Sequence, residues 1–213
     1  MKGRLTLCLL GVIALAPAAL AGGPTARPTS VTIAAEPTVV TFGGTTTLTG
    51  AITPARAGER VTVEAQPCGQ AAFTRLGDVA TAATGSATLT ARPTANTQYR
   101  ARVRNLTSSA VTVTVRPRIR LAKVARQKFR VRVIAGQSLA GRVVTFQRSR
   151  PATGTWVRVR SATLREVASA APTVTSGATF RARVRAGSRV RVVLPHAQAA
   201  PCYGGARSNT TRA

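Results

Sequence analysis

The sequence predicts an all-β protein: two tandem β-sandwiches behind an N-terminal secretory leader. Three observations carry that prediction. From Ser30 onward, short runs of alternating apolar and polar residues are broken by Gly, Pro, Asn and Ser, at roughly the ten-residue spacing of a sandwich or barrel. The pattern restarts after Val115-Arg116-Pro117. Hydrophobic residues make up 44% of the chain but aromatics only 4%, so the apolar content is mainly Ala, Val and Leu, and the β-branched share suits strands.

The first 23 residues, "MKGRLTLCLLGVIALAPAALAGG", place Lys2 and Arg4 before an apolar run from Leu5 to Leu15 and end it with Ala19-Leu20-Ala21. That is the form of a secretory signal peptide over 1–21, followed by a short linker over 22–29. The expected location is outside the cell or in its envelope. Cys8 lies inside the apolar run, away from the cleavage site, so lipid anchoring is not indicated. No later segment is long and apolar enough to span a membrane.

Loss of the leader leaves Cys68 and Cys202, an even count in an oxidising compartment. A disulfide between them is one outcome and two free thiols the other. Bridging requires the two halves of the chain to fold back on each other.

In the first half, "SVTIAAEPTVVTFGGTTTLTG" reads as two strands with a turn at Gly43-Gly44. "ERVTVEA", "FTRLGDVAT", "SATLTARP", "QYRARVR" and "AVTVTVR" follow. In the second half, "RIRLAKV", "KFRVRVI", "GRVVTFQ", "TWVRVRSAT", "TFRARVR" and "SRVRVVL" are the expected strands. Pro117 has no N–H to give to a ladder and marks the seam between the units.

An internal duplication is visible in the spacing. Val61-Thr62-Val63 matches Val144-Thr145-Phe146, and Phe73-Thr74-Arg75-Leu76 matches Trp156-Val157-Arg158-Val159, both at an offset of 83. A repeat of about 85 residues has the size of an immunoglobulin-like unit. "QYRARVR" and "TFRARVR" tempt the eye to an offset of 81, but that leaves the C-terminal tail surplus. An offset of 91 is preferred for the later strands. It makes "QYRARVR" the sixth strand of unit one and "TFRARVR" the fifth of unit two. It also makes residues 203–211 the closing strand and puts the extra residues into one loop around Val167–Gly177. Both look-alike strands point alternate side chains in: Tyr99, Ala101 and Val103 in one, Phe180, Ala182 and Val184 in the other. The arginines between them face water, their stems covering apolar surface.

"RPTANTQYRARV" resembles the turn between the fifth and sixth strands of fibronectin-type and immunoglobulin-like sandwiches, where a Pro-containing turn precedes Thr-x-Tyr. The resemblance implies that Tyr99 is the structural tyrosine of a tyrosine corner; unit two carries Val190 there. More widely, "PCGQAAFTRL", "SSAVTVTVRPRIRL" and "RVVLPHAQAAPCYGGARSN" make residues 30–213 look like the paired immunoglobulin-like domains in secreted proteins of high-GC bacteria. The resemblance implies two tandem immunoglobulin-like β-sandwiches, domain 1 over 30–117 and domain 2 over 118–213. The role it implies is noncatalytic: a structural or adhesive envelope module. Fold by itself does not set function.

Little in the chain points to chemistry. His196, the single histidine, follows Pro195 in a predicted loop and has no histidine partner for a metal site. Glu59 and Glu64 fall on opposite faces of a strand and read as solvated edges. Gly43-Gly44 and Gly204-Gly205 lack a phosphate-loop pattern and read as turns. Neither an enzyme nor a cofactor is expected. Charge is the remaining signal: 31 Lys plus Arg against five acids, a formal net charge of +26. GC-rich coding explains Arg in place of Lys; the field that attracts anions exists whatever its origin. In unit two, Arg130 and Arg132 on the second strand and Arg181, Arg183 and Arg185 on the fifth are expected to share one sheet face. Like charges side by side on a sheet are destabilising, so this face is the candidate site for an anionic envelope polymer or another polyanion, including nucleic acid bound by its backbone.

Overall fold

The computed structural model describes residues 27–213. The expected leader, its cleavage site and the first residues of the linker lie outside the described residues. Of the described residues, 59% lie in strands and 2% in helix, the all-β content that the alternation predicts.

Nine strands precede Pro117: β1 (Ser30–Glu36), β2 (Val39–Thr41), β3 (Thr46–Thr53), β4 (Arg60–Pro67), β5 (Thr74–Ala80), β6 (Ser86–Ala91), β7 (Thr97–Val103), β8 (Leu106–Thr107) and β9 (Val111–Arg116). Nine follow it: β10 (Arg118–Ala125), β11 (Lys128–Ala135), β12 (Val143–Ser149), β13 (Trp156–Thr163), β14 (Arg165–Ala170), β15 (Thr173–Arg181), β16 (Arg189–Leu194), β17 (Ala206–Arg207) and β18 (Thr211–Arg212). The one helix among the described residues, α1 (His196–Ala199), is a single turn that His196 opens, where the sequence predicts a loop.

Each half forms two sheets. The N-terminal half has a three-stranded sheet, β1-β3-β6, and a six-stranded one, β2-β9-β7-β4-β5, with β8 added to β7. The C-terminal half has β10-β11-β15-β14 and β13-β12-β16-β17, with β18 also on β16. Among the described residues every ladder joins strands on the same side of Pro117. The paired sheets bury their facing side chains: Val31, Ile52 and Ala87 meet Val61, Ala101 and Val103. A larger cluster runs on through Leu48 and Tyr99 into the C-terminal half. There Phe129, Phe146 and Phe180 form a tilted triad with ring centroids 4.8, 5.2 and 6.2 Å apart, a geometry favoured by the ring quadrupoles.

The duplication appears in structural detail. The β4–β5 ladder shifts register between Val63 and Glu64, with Leu76 of β5 the extra residue, and the β12–β13 ladder does so between Phe146 and Gln147, with Val159 of β13 the extra residue, both at the predicted offset of 83. The offset of 91 governs the next strands. In β7, Ala101 donates its N–H to the Ser108 hydroxyl at 2.9 Å; in β16, Val192 does the same to Ser208 at 2.9 Å. Val190 stands opposite Arg148 as Tyr99 stands opposite Ala65. Phe180 pairs with Phe129, so "TFRARVR" adjoins the second strand of its half, while "QYRARVR" lies between β4 and β9.

Four details depart from the sequence reading. The opening segment makes three strands, because Pro37 ends the β1 ladder and β2 crosses to pair in parallel with β9. The expected loop around Val167–Gly177 is the hairpin of β14 and β15; all six β14 residues are exposed, so no alternation betrays it. "TFRARVR" is strand only through Arg181, leaving Arg183 and Arg185 beyond its end. The closing strand is split into β17 and β18. Between them the Asn209 side chain takes a strand's place: its Oδ1 accepts from Leu121 N at 2.9 Å and its Nδ2 donates to Leu121 O at 3.0 Å.

The halves are bonded to one another. Cys68 and Cys202 form a disulfide across 134 residues, with 5.2 Å between their Cα atoms. Asn96 sits beside it. Its backbone N–H donates to Cys202 O at 2.9 Å and its Nδ2 to Pro201 O at 2.8 Å, while its Oδ1 accepts from Val115 N at 2.8 Å. Gly136 allows the close approach: a Cβ there would stand 2.8 Å from Thr94 O.

Candidate functional site

The acids and the arginines are distributed unequally. Residues 118–213 hold eighteen arginines and two lysines against one acid, Glu166. The other four acids lie in the N-terminal half, and three of them are enclosed by arginines. Glu59 accepts from Arg104 Nη2 at 3.0 Å and pairs with Arg56 at 3.2 Å. Glu64 accepts from Arg100 Nε at 2.6 Å and Arg102 Nη1 at 3.2 Å. Asp78 accepts from Arg75 Nε at 3.0 Å and also pairs with Arg60. Glu59 and Glu64 are therefore buried, paired groups, which corrects the reading of solvated strand edges. Burial acts to raise the Glu64 pKa, but the hydrogen bonds from Arg100 and Arg102 outweigh it and hold the carboxyl below its ordinary value. Asp78 is lowered to about 2, chiefly by its hydrogen bond from Arg75. Among the described residues all ion pairs fall between Arg56 and Arg104.

The five arginines singled out by sequence are divided among three clefts. Arg132 stands opposite Arg120 across the β10–β11 ladder, and Arg130 stands opposite Thr179 of β15. With Arg160 of β13 and Arg165 of β14 they wall a cleft of about 810 Å³. Arg183 and Arg185 line another, of about 570 Å³, together with Arg148, Arg150 and Arg158. Arg181, at the end of β15 opposite Lys128, joins Arg160 and Arg183 around a third, of about 630 Å³. The split follows from β15 ending at Arg181, where the chain leaves for the other sheet.

The sequence reading did not single out Arg160 and Arg165. Arg160 Nη1 donates to the carbonyl of Arg181 at 2.9 Å. The alternation of "TWVRVRSATLREV" shows both arginines as outward. What it cannot show is that β14 pairs with β15 only as far as Gly177, which opens the cleft beside them.

Tyr99 is buried in β7; burial raises its pKa, and the Thr97 side chain beside it acts the other way. His196 is exposed, and the disulfide engages both Cys68 and Cys202. Arg191 lies 4.0 Å from the centre of the Trp156 ring and donates from Nε to Gln147 Oε1 at 2.9 Å. Among the described residues no helix is long and apolar enough to cross a membrane.

No protein-family model matches the chain, and no curated protein matches it.

Proposed function

We propose that the chain is a noncatalytic module of two tandem immunoglobulin-like sandwiches, exported to the envelope or the medium, that binds an anionic polymer through its C-terminal half. The strand orders support the fold assignment. β10-β11-β15-β14 and β13-β12-β16-β17 correspond to the ABED and C′CFG sheets of that architecture, and the N-terminal half repeats them without strand D. The leader sequence supports export. The engagement of Glu59, Glu64 and Asp78 by arginines, and of both cysteines by each other, supports a noncatalytic role.

The observation that carries the binding assignment is charge segregation. The N-terminal half encloses three of its four acids with its own arginines, whereas the C-terminal half leaves arginines open to solvent around shared clefts. Binding of this kind draws on counterion release and weakens steeply with salt. The test is retention on immobilised teichoic acid, heparin or DNA at increasing ionic strength. Salt-graded retention that requires residues 118–213 supports the reading. Absence of retention near physiological salt, where the screening length is about 8 Å, leaves a structural or adhesive spacer. That second reading is favoured by the disulfide and the core that continues across Pro117, which make the two halves a stiff pair.

A further inference from the structure

We infer that the three arginine clefts form one continuous groove that takes a single extended chain of linked phosphates. This rests on the polyanion reading above and names its site and ligand class. The clefts share walls: Arg160 belongs to the first and third, and Gln127, Val159 and Arg183 to the second and third. Their common spine is β13, eight residues long, or roughly 26 Å at about 3.3 Å per residue.

The groove has a structural cause. β15 runs to Arg181, but β14 accompanies it only to Gly177, so Ala178–Arg181 has β11 on one side and no strand on the other. β13, in the opposite sheet, faces that gap, and Arg160 reaches across it to the Arg181 carbonyl. Arg130 and Arg132 mark one end of this groove, Arg183 and Arg185 the other, and Arg181 lies between them.

The lining selects a ligand. No acidic side chain borders any of the three clefts. Guanidinium forks match phosphate oxygens in pairs, and the hydroxyls of Ser161, Thr163 and Thr179 stand in the same cleft as Arg130 and Arg165. The one aromatic residue on the lining, Phe180, is 7% exposed and belongs to the core. Base stacking therefore has no platform, and what is recognised is a flexible phosphate backbone.

The test uses the chain itself, with inorganic polyphosphate as the probe and inorganic tripolyphosphate as the short form. One double variant, Arg132→Gln with Arg165→Gln, alters one end of the groove. A second, Arg148→Gln with Arg150→Gln, alters the other. Arg142→Gln with Arg212→Gln removes the same charge from residues outside the groove. Long polyphosphate is expected to bind one chain per protein and more tightly than tripolyphosphate. Each end variant should lower the slope of log affinity against log salt by about 1.4, from about 0.7 per lost contact on a flexible strand; the control should lose far less.

Equal losses from the control would overturn the groove and leave the polyanion reading intact. Unchanged long-chain affinity after altering either end would overturn its continuity. Tighter binding of polyglutamate of matched charge would overturn the phosphate assignment, and tighter binding of single-stranded DNA would mean that bases are read and would overturn recognition by the backbone alone. Failure to bind any of these polymers would overturn both the groove and the reading on which it rests.

Discussion

Arg191 holds in the C-terminal half the place that Arg100 holds in the N-terminal half. Arg100 lies 4.1 Å from the centre of the Phe73 ring, and Arg191 lies 4.0 Å from that of Trp156. Each stands opposite the residue at which the neighbouring ladder shifts register, Arg100 opposite Glu64 and Arg191 opposite Gln147. The constellation has been kept, and its carboxylate is present in one copy only. The charge difference between the halves can thus be seen at a single matched position.

Gln147→Glu should therefore recreate the N-terminal ion pair. An ion pair replaces a bond from a charged donor to a neutral acceptor in a partly exposed site, for a gain of about 0.5–1 kcal/mol. Glu64→Gln, the reverse change, should cost about 1–2 kcal/mol. Denaturant unfolding of the two variants measures both, and destabilisation by Gln147→Glu would refute the equivalence.

The disulfide should contribute strongly to stability. Cross-linking over 134 residues restricts the unfolded chain, and long loops fall near the upper end of the usual range, about 2–5 kcal/mol. Replacing both Cys68 and Cys202 with Ser should lower the melting temperature, and added reductant should then have no further effect. A wild-type melting curve indifferent to reductant would show that the bridge is absent or without consequence.

The strand alternation, the seam at Pro117 and the two offsets were legible in the sequence because each rests on local periodicity. Tyr99, Ala101 and Val103 are buried and their neighbours are not, which a period of two shows directly. β14 was illegible because an edge strand exposed on every residue has no period to read. The groove was illegible for a related reason. It exists because β14 stops at Gly177 while β15 continues, and the relative lengths of paired strands are set by long-range register. The disulfide needed the tail to fold back onto Asn96, and no spacing encodes that contact.

Acid should destabilise the N-terminal half selectively. Asp78 has a folded-state pKa of about 2, below its ordinary 3.8, and that of Glu64 is also lowered. A depressed carboxyl pKa contributes stability that is fully present above the unfolded value and is lost as pH falls through the folded one. Melting temperature should thus decline between about pH 4 and pH 2, and Asp78→Asn together with Glu64→Gln should flatten the decline while lowering the plateau. A wild-type profile that is level across this interval would contradict the pairing.

The arginines of the two halves should separate by function when neutralised in pairs. Arg100→Gln with Arg102→Gln strips Glu64 of both partners while its side chain remains 11% exposed. A carboxylate left so enclosed without donors loses about 1–3 kcal/mol of stability. Polyphosphate affinity should change much less, because both arginines lie outside the groove and Glu64 opposes one of the two charges. Arg130→Gln with Arg132→Gln removes two exposed cations, and Arg132 faces Arg120 across the ladder. Easing that like-charge contact should leave stability unchanged or slightly higher, while polyphosphate binding weakens and its salt dependence becomes shallower. Unfolding curves and salt-dependent titrations on the same four proteins (wild type, each pair, and both combined) decide the matter. If the Arg100 and Arg102 pair lost as much polyphosphate affinity as the Arg130 and Arg132 pair, the N-terminal ion pairs would not be neutralising their half, and charge segregation could no longer carry the functional assignment.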